Sequence, residues 1–162
     1  MATGNTYVPL ATNTLSSAQA SVTFSSISGA YTDLVLVISG NAGSGTSADM
    51  RFNSDSATNY SSTHLHGDGS SAGSYRETNS TSLWAGSFYS TSTPTTAIHH
   101  IMNYSNTTTY KTSLSRVNYT IAFTYATVGL WRSTAAVTSV TLSTSATFNT
   151  GSTFQLFGIA AA

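Results

Sequence analysis

Two histidines separated by a single residue are the strongest candidates for chemistry in this sequence. His64 and His66 fall within residues 60–66, a segment whose composition predicts a β-strand. Because alternate side chains of a strand point to the same face, both imidazoles could bind one metal ion. His99 and His100 are adjacent and project to opposite faces, so only one of them could join such a site. His64 and His66 are therefore the candidate metal ligands.

The remainder of a metal centre is not found near these histidines. A β-protein with a His-x-His motif is similar to the metal-binding cupins, but cupins supply a glutamate a few residues after the second histidine. Here the single glutamate, Glu77, lies beyond a glycine-rich segment. Polar side chains at an interface or on a solvent face explain the two histidines more simply. The sequence predicts no bound metal and no cofactor.

A serine nucleophile is also not supported by its surroundings. Residues 69–73 (GSSAG) match the Gly-x-Ser-x-Gly pattern of the nucleophile elbow. That motif requires a turn from a strand into a helix, and no helix is predicted after it. Since serine is so frequent in this chain, a chance match is expected. We predict that the protein is not an enzyme.

The composition favours an assembly component over a dilute monomer. Charged residues make up only 6% of the chain, five basic and five acidic, whereas about 36% of the 162 residues are Ser or Thr. The formal net charge is zero although 40% of the residues are hydrophobic, and a soluble monomer usually carries net charge. One Lys and four scattered Arg argue against a nucleic-acid partner. The longest apolar run is too short for a membrane span.

The pattern of short apolar segments predicts one all-β domain spanning residues 1–162. Helix-forming residues are scarce, and residues 33–38 (DLVLVI) are apolar on both faces, as expected for a central strand. We expect an antiparallel two-sheet sandwich, jelly-roll-like, with about ten short strands. Pro9 cannot donate to a sheet ladder, so residues 1–10 should form an edge strand or an arm that reaches a neighbour. The predicted strands are 6–10, 21–24, 33–39, 48–52, 60–66, 82–84, 97–103, 111–119, 121–130, 137–143 and 153–159.

Aromatic side chains are the candidates for an interface or a ligand site. Most are expected in the core or at its rim, but those in or beside predicted loops could stack on sugars or anchor subunits. Residues of the N-terminal segment are candidates for the same roles. The interface and ligand candidates are Tyr7, Val8, Pro9, Tyr60, Tyr75, Trp84, Tyr89, Tyr104, Tyr110 and Trp131.

Several segments together resemble a tailed-phage virion protein family that is common in phages of aquatic bacteria. They are YTDLVLVISG (31–40), MRFNSD (50–55), NYS (59–61), GLWRSTAAVTSVTL (129–142) and GSTFQLFGI (151–159). The similarity covers about residues 6–159 and consists of strands and turns, without a catalytic signature. It implies that the protein is part of the virion, which is assembled in the host cytoplasm. Related β-sandwich proteins decorate capsids as trimers or form the heads of tail fibres.

The resemblance and the composition together predict a capsid decoration or cement protein. Its partners would be the major capsid protein and other copies of itself in a homotrimer. The alternative is the receptor-binding head of a tail fibre that recognises host surface glycans through loop aromatics. A fibre needs an attachment segment, often helical or repetitive, and none is recognised in this sequence.

Overall fold

The computed structural model describes residues 6–43, 45–88, 93–119 and 123–160 of the 162-residue chain. Those ranges contain twelve strands and include no helix long and apolar enough to cross a membrane. The all-β class predicted from the sequence is confirmed. The strands are β1 (Tyr7–Thr14), β2 (Gln19–Phe24), β3 (Asp33–Gly40), β4 (Thr46–Phe52), β5 (Tyr60–Gly67), β6 (Ala72–Ser80), β7 (Leu83–Phe88), β8 (Thr95–Met102), β9 (Lys111–Tyr119), β10 (Phe123–Trp131), β11 (Val140–Phe148) and β12 (Thr153–Ile159).

The strands form two antiparallel sheets, as predicted. The wide sheet has the order β1-β12-β3-β8-β9-β10-β5-β6, and the small sheet has the order β2-β11-β4-β7. When the hairpins β5–β6 and β9–β10 are set aside, the other eight strands form two four-stranded sheets, β1-β12-β3-β8 and β2-β11-β4-β7, which is the strand order of a jelly roll. The two hairpins widen one sheet to eight strands. Four strands cannot cover eight, so β6, at the far end, is largely exposed.

The core lies between the two sheets, with β3 near its centre. β3 is paired on both sides, with β12 and β8. Leu34, Leu36 and Ile38 face the small sheet and are completely buried, while Val35 on the opposite side is 7% exposed. The predicted central position is confirmed by this pairing on both edges, whereas only the inner face of β3 is covered by the small sheet and Val35 and Val37 lie on the outer side.

Pro9 lies where its missing N–H is least costly. β1 is an edge strand of the wide sheet and pairs only with β12 among the described strands. Pro9 lies opposite Phe157, and a bulge between Pro9 and Ala11 interrupts the ladder. The edge position predicted from the proline is confirmed, and the bulge helps protect this edge from pairing with other chains.

The predicted strands differ from the observed ones mainly in what they omit. β6 was not predicted, because its sequence AGSYRETNS combines glycine, asparagine and charged residues that disfavour strands. Its pairing with β5 holds it in place instead. β1 and β11 also run four and five residues further than the predicted 6–10 and 137–143. Local propensity underestimates strands that depend on their neighbours.

Candidate functional site

His64 and His66 both point to the inner side of the wide sheet, but His64 is engaged in hydrogen bonds. Its ring is fully buried, with Nδ1 2.9 Å from the Thr127 hydroxyl and Nε2 2.8 Å from the Ser62 hydroxyl. Neither ring nitrogen is therefore free to bind a metal without breaking one of these bonds. The described residues contain no group of three or more His, Cys, Asp or Glu side chains placed to hold a metal ion.

The β5–β6 hairpin brings Glu77 beside His64, which the sequence did not indicate. Glu77 pairs with Ser62 across the hairpin, and its carboxylate lies 3.6 Å from His64 Nε2. Burial lowers the pKa of His64, with Glu77 acting in the opposite direction. Tyr75 stacks on the His64 ring at 4.3 Å, which completes a packed polar and aromatic cluster. The contacts of His64 are those of a structural residue.

His99 and His100 point to opposite faces, as predicted from their adjacency. His99 is 1% exposed in the core, and its Nε2 lies 3.0 Å from the carbonyl oxygen of Ala85. Burial lowers the pKa of His99 to about 4. His100 lies on the outer side of the wide sheet, with Nε2 2.8 Å from the Asp33 carboxylate.

Three of the aromatic interface candidates are core residues, so their prediction as exposed rings is wrong. Tyr60, Tyr104 and Trp131 are at most 2% exposed. The Tyr60 and Trp131 rings stack at 6.3 Å, and the Trp131 indole donates to the Asp55 carboxylate at 2.7 Å. Burial raises the pKa of Tyr60 to about 12. The positions of Tyr60 and Trp131 beside loops did not reveal that these ends of β5 and β10 lie under the small sheet.

The other candidates remain accessible to different degrees. Tyr7, Tyr75 and Tyr110 are 56%, 42% and 54% exposed. Tyr75 lies within β6 and not in a loop, and Trp84 is a partly buried residue of β7. In β1, Val8 is partly buried and Pro9 is exposed. Tyr89 lies outside the described residues.

An apolar surface covers the outer side of the wide sheet. In the described part of the chain, five of the seven exposed large hydrophobic side chains lie there. The ladders place Leu114 directly opposite Val128, and Ala126 opposite Leu65. Neighbouring strands therefore contribute apolar side chains to the same side of the sheet, with Arg116 between Ile98 and Ala126 and His100 between Val35 and Leu114. We define the outer apolar face by Tyr7, Val35, Leu65, Ile98, Met102, Leu114, Ala126 and Val128.

Arg116 and the His100–Asp33 pair interrupt the outer apolar face. A shallow depression of about 370 Å³ near its middle is lined by Tyr7, Val35 and Ile98, with His100 and Arg116 beside them. His100 is already bound to Asp33, which lies on the same side. A depression lined by apolar side chains and an arginine is typical of a protein contact surface, where arginine is enriched.

A second concave feature separates the two sheets at the uncovered end of the sandwich. Asp49 and Trp84 are paired neighbours on β4 and β7 and form one wall. Glu77 and Asn79 of β6 form the other wall, and residues 80–82 close the end. The volume is about 520 Å³. We call this the β6–β7 groove.

Most residues of these two surfaces were not predicted as site residues. Leu65, Leu114 and Val128 alternate with polar residues in their strands, a pattern that normally marks the buried side. Here the polar residues, among them His64, Ser113 and Thr127, face inward. A strand pattern shows that its two faces differ but not which one is covered, so the sequence carried no signal for these surfaces.

No protein-family model matches this chain, and no curated protein is significantly similar to it.

Proposed function

We propose that this chain is a structural protein of a tailed-phage particle, with the role of a capsid decoration or cement protein. The proposal rests on the resemblance of residues 6–159 to a virion protein family and is supported by the outer apolar face. The protein would act without catalysis, by contacts with the major capsid protein and with copies of itself.

The observation that carries the proposal is the extent of the outer apolar face. Eight strands at the usual spacing make a surface about 38 Å wide, and strands of this length are about 26 Å long. These lengths describe the whole outer side of the wide sheet, of which the outer apolar face is a part, and that side is large enough for the ~800 Å² that each partner buries in a standard protein interface. A monomer would expose this apolar surface to water, whereas an assembly component would bury it.

The low charge of the molecule supports the same role. With a formal net charge of zero, copies do not repel one another and can pack densely on a shell. The association would depend on apolar burial and on hydrogen bonds of Ser and Thr, so salt should weaken it little. A fibre head that binds host glycans is the alternative function, and the β6–β7 groove is the feature that favours it.

A substitution in the outer apolar face tests the decoration role. Leu114→Glu places a charge in the middle of the face and should weaken binding to capsids that lack this protein by at least ~10-fold. Ser21→Glu adds the same charge to an exposed position of β2 on the small sheet and serves as the control. Co-sedimentation with capsids measures both.

The opposite result would contradict the decoration role. Leu114→Glu protein that saturates the capsids as tightly as the Ser21→Glu control would show that this face does not hold the protein on the shell. Cryo-electron microscopy of the particle would then locate the protein directly, and density at a fibre tip would replace the decoration role with the fibre-head role.

A further inference from the structure

We propose that the β6–β7 groove is a binding site for neutral carbohydrate. This inference goes beyond the assembly role and does not depend on it. The groove exists because the wide sheet extends past the small one, so that β6 and the edge strand β7 face each other across open space. Its volume of about 520 Å³ lies within the range of small-ligand sites.

Trp84 supplies an aromatic surface on one wall. Its indole packs against Tyr125 at 4.8 Å and meets the His64 ring edge-on at 5.6 Å, so its orientation is held from behind. Among the described residues, the indole N–H has no hydrogen-bond partner, and the ring lines the groove. A fixed indole with a free donor suits a sugar, which presents both C–H faces and hydroxyl oxygens.

The polar groups around Trp84 offer both acceptors and donors. In the described part of the chain, the Asp49 carboxylate makes no hydrogen bond or ion pair. Asp49 lies directly across the ladder from Trp84. Glu77 is 46% exposed, and its contacts are with Ser62 and His64. The side-chain amide oxygen of Asn79 accepts a hydrogen bond from Arg132 at 2.9 Å. This bond fixes the orientation of the amide and leaves its N–H groups available as donors.

The charge of the groove restricts the class of sugar. Two carboxylates line it and no Lys or Arg does, although Arg51 and Arg132 lie next to it and donate to the lining residues Thr81 and Asn79. The two lining carboxylates favour neutral sugars over sialic acids, uronic acids and phosphates. A divalent cation is also disfavoured, since the described residues contain no cluster of three ligating side chains. Neutral hexoses and N-acetylhexosamines remain, whose hydroxyls donate to carboxylates and accept from an amide.

Tryptophan fluorescence of the full-length protein can test this directly. The chain has two tryptophans, and Trp131 is buried at 2% exposure, so a sugar-dependent change would report Trp84. The probes are the methyl glycosides of glucose, galactose, mannose and N-acetylglucosamine, with sialyllactose as the acidic probe. We expect a saturable change with at least one neutral probe and at least ~10-fold weaker binding of sialyllactose.

Three isosteric variants locate the site. Asp49→Asn and Glu77→Gln keep the side-chain size and should each weaken binding of the responding probe by at least ~10-fold. Asp33→Asn removes a carboxylate from the outer side of the wide sheet and should bind normally. No saturable response to any neutral probe, or a response that Asp49→Asn and Glu77→Gln leave unchanged, would overturn the proposal. Capsid binding of Leu114→Glu, on the other side of the wide sheet, tests the assembly role separately, so the two proposals can fail independently.

Discussion

At the scale of the residue, the main feature is a set of buried titratable side chains. His64, His99 and Lys111 are each at most 1% exposed, and each is held by hydrogen bonds. Lys111, for example, donates to the carbonyl oxygens of Thr109 and Thr134 at 2.7 and 3.3 Å, and its burial lowers its pKa. These groups are satisfied in the folded chain, so a change of protonation would cost stability.

The buried His99 predicts that stability falls with acidification. Its pKa is lowered from 6.5 to about 4 in the folded chain, so the unfolded chain binds the proton more readily. The stabilisation by neutral His99 is complete above pH 6.5 and is lost as the pH falls towards 4. His99→Gln should reduce the loss in unfolding free energy between pH 7 and pH 5 by up to about 2 kcal/mol.

Urea unfolding at the two pH values measures this difference. His64, whose pKa burial also lowers, remains in the variant and contributes equally to both proteins. Equal pH dependence in wild type and His99→Gln would show that His99 is not buried in neutral form.

At the scale of the element, pairing on both edges and the cover of the small sheet make β3 the strand on which the sandwich depends most. Leu36 is completely buried on the side that faces the small sheet. Leu36→Ala should lower the unfolding free energy by about 2–5 kcal/mol, because it removes buried apolar surface and leaves a cavity. Val37→Ala, on the partly exposed outer side of the same strand, should cost clearly less. Thermal unfolding of both variants measures the two losses of stability. Equal losses would contradict the placement of Leu36 in the core and of Val37 on the outer side.

The two hairpin insertions show how an element creates a site without strong local signals. β6 has a sequence that disfavours strands, yet its ladder with β5 carries Glu77 and Asn79 to the groove. Strand propensity reflects packing more than backbone preference, which explains why β6 escapes prediction.

For the whole molecule, the outer apolar face and the zero net charge predict self-association. The proposed homotrimer should be stable at micromolar concentration and resist salt, because few charges are involved. Deleting residues 1–10 removes Tyr7 and Pro9 from the edge of the face and should weaken the oligomer. The chain should still fold, since the core residues of β3, β8 and β12 remain.

Light scattering on the full-length and shortened proteins measures this, with circular dichroism as the control for folding. A full-length protein that stays monomeric at these concentrations would contradict the assembly role. Equal oligomer stability in the two proteins would exclude residues 1–10 from the interface.

The sequence by itself determined the features that depend on local chemistry. Alternation and β-branched composition predicted an all-β sandwich, the two-sided apolar run predicted β3 at the centre, and the missing N–H of Pro9 predicted an edge. The opposite directions of His99 and His100 followed from the pleat alone. Each of these depends on one residue or on one strand.

Tertiary structure decided which face of each strand is covered. Three features depend on partners that are distant in sequence. They are the burial of Tyr60, Tyr104 and Trp131, the exposure of Leu114 and Val128, and the contact of Glu77 with His64. A strand pattern shows that its two faces differ, but it cannot show which face the second sheet covers. The eight-stranded sheet is wider than its four-stranded partner, and that mismatch produced both the uncovered end of the sandwich and the groove.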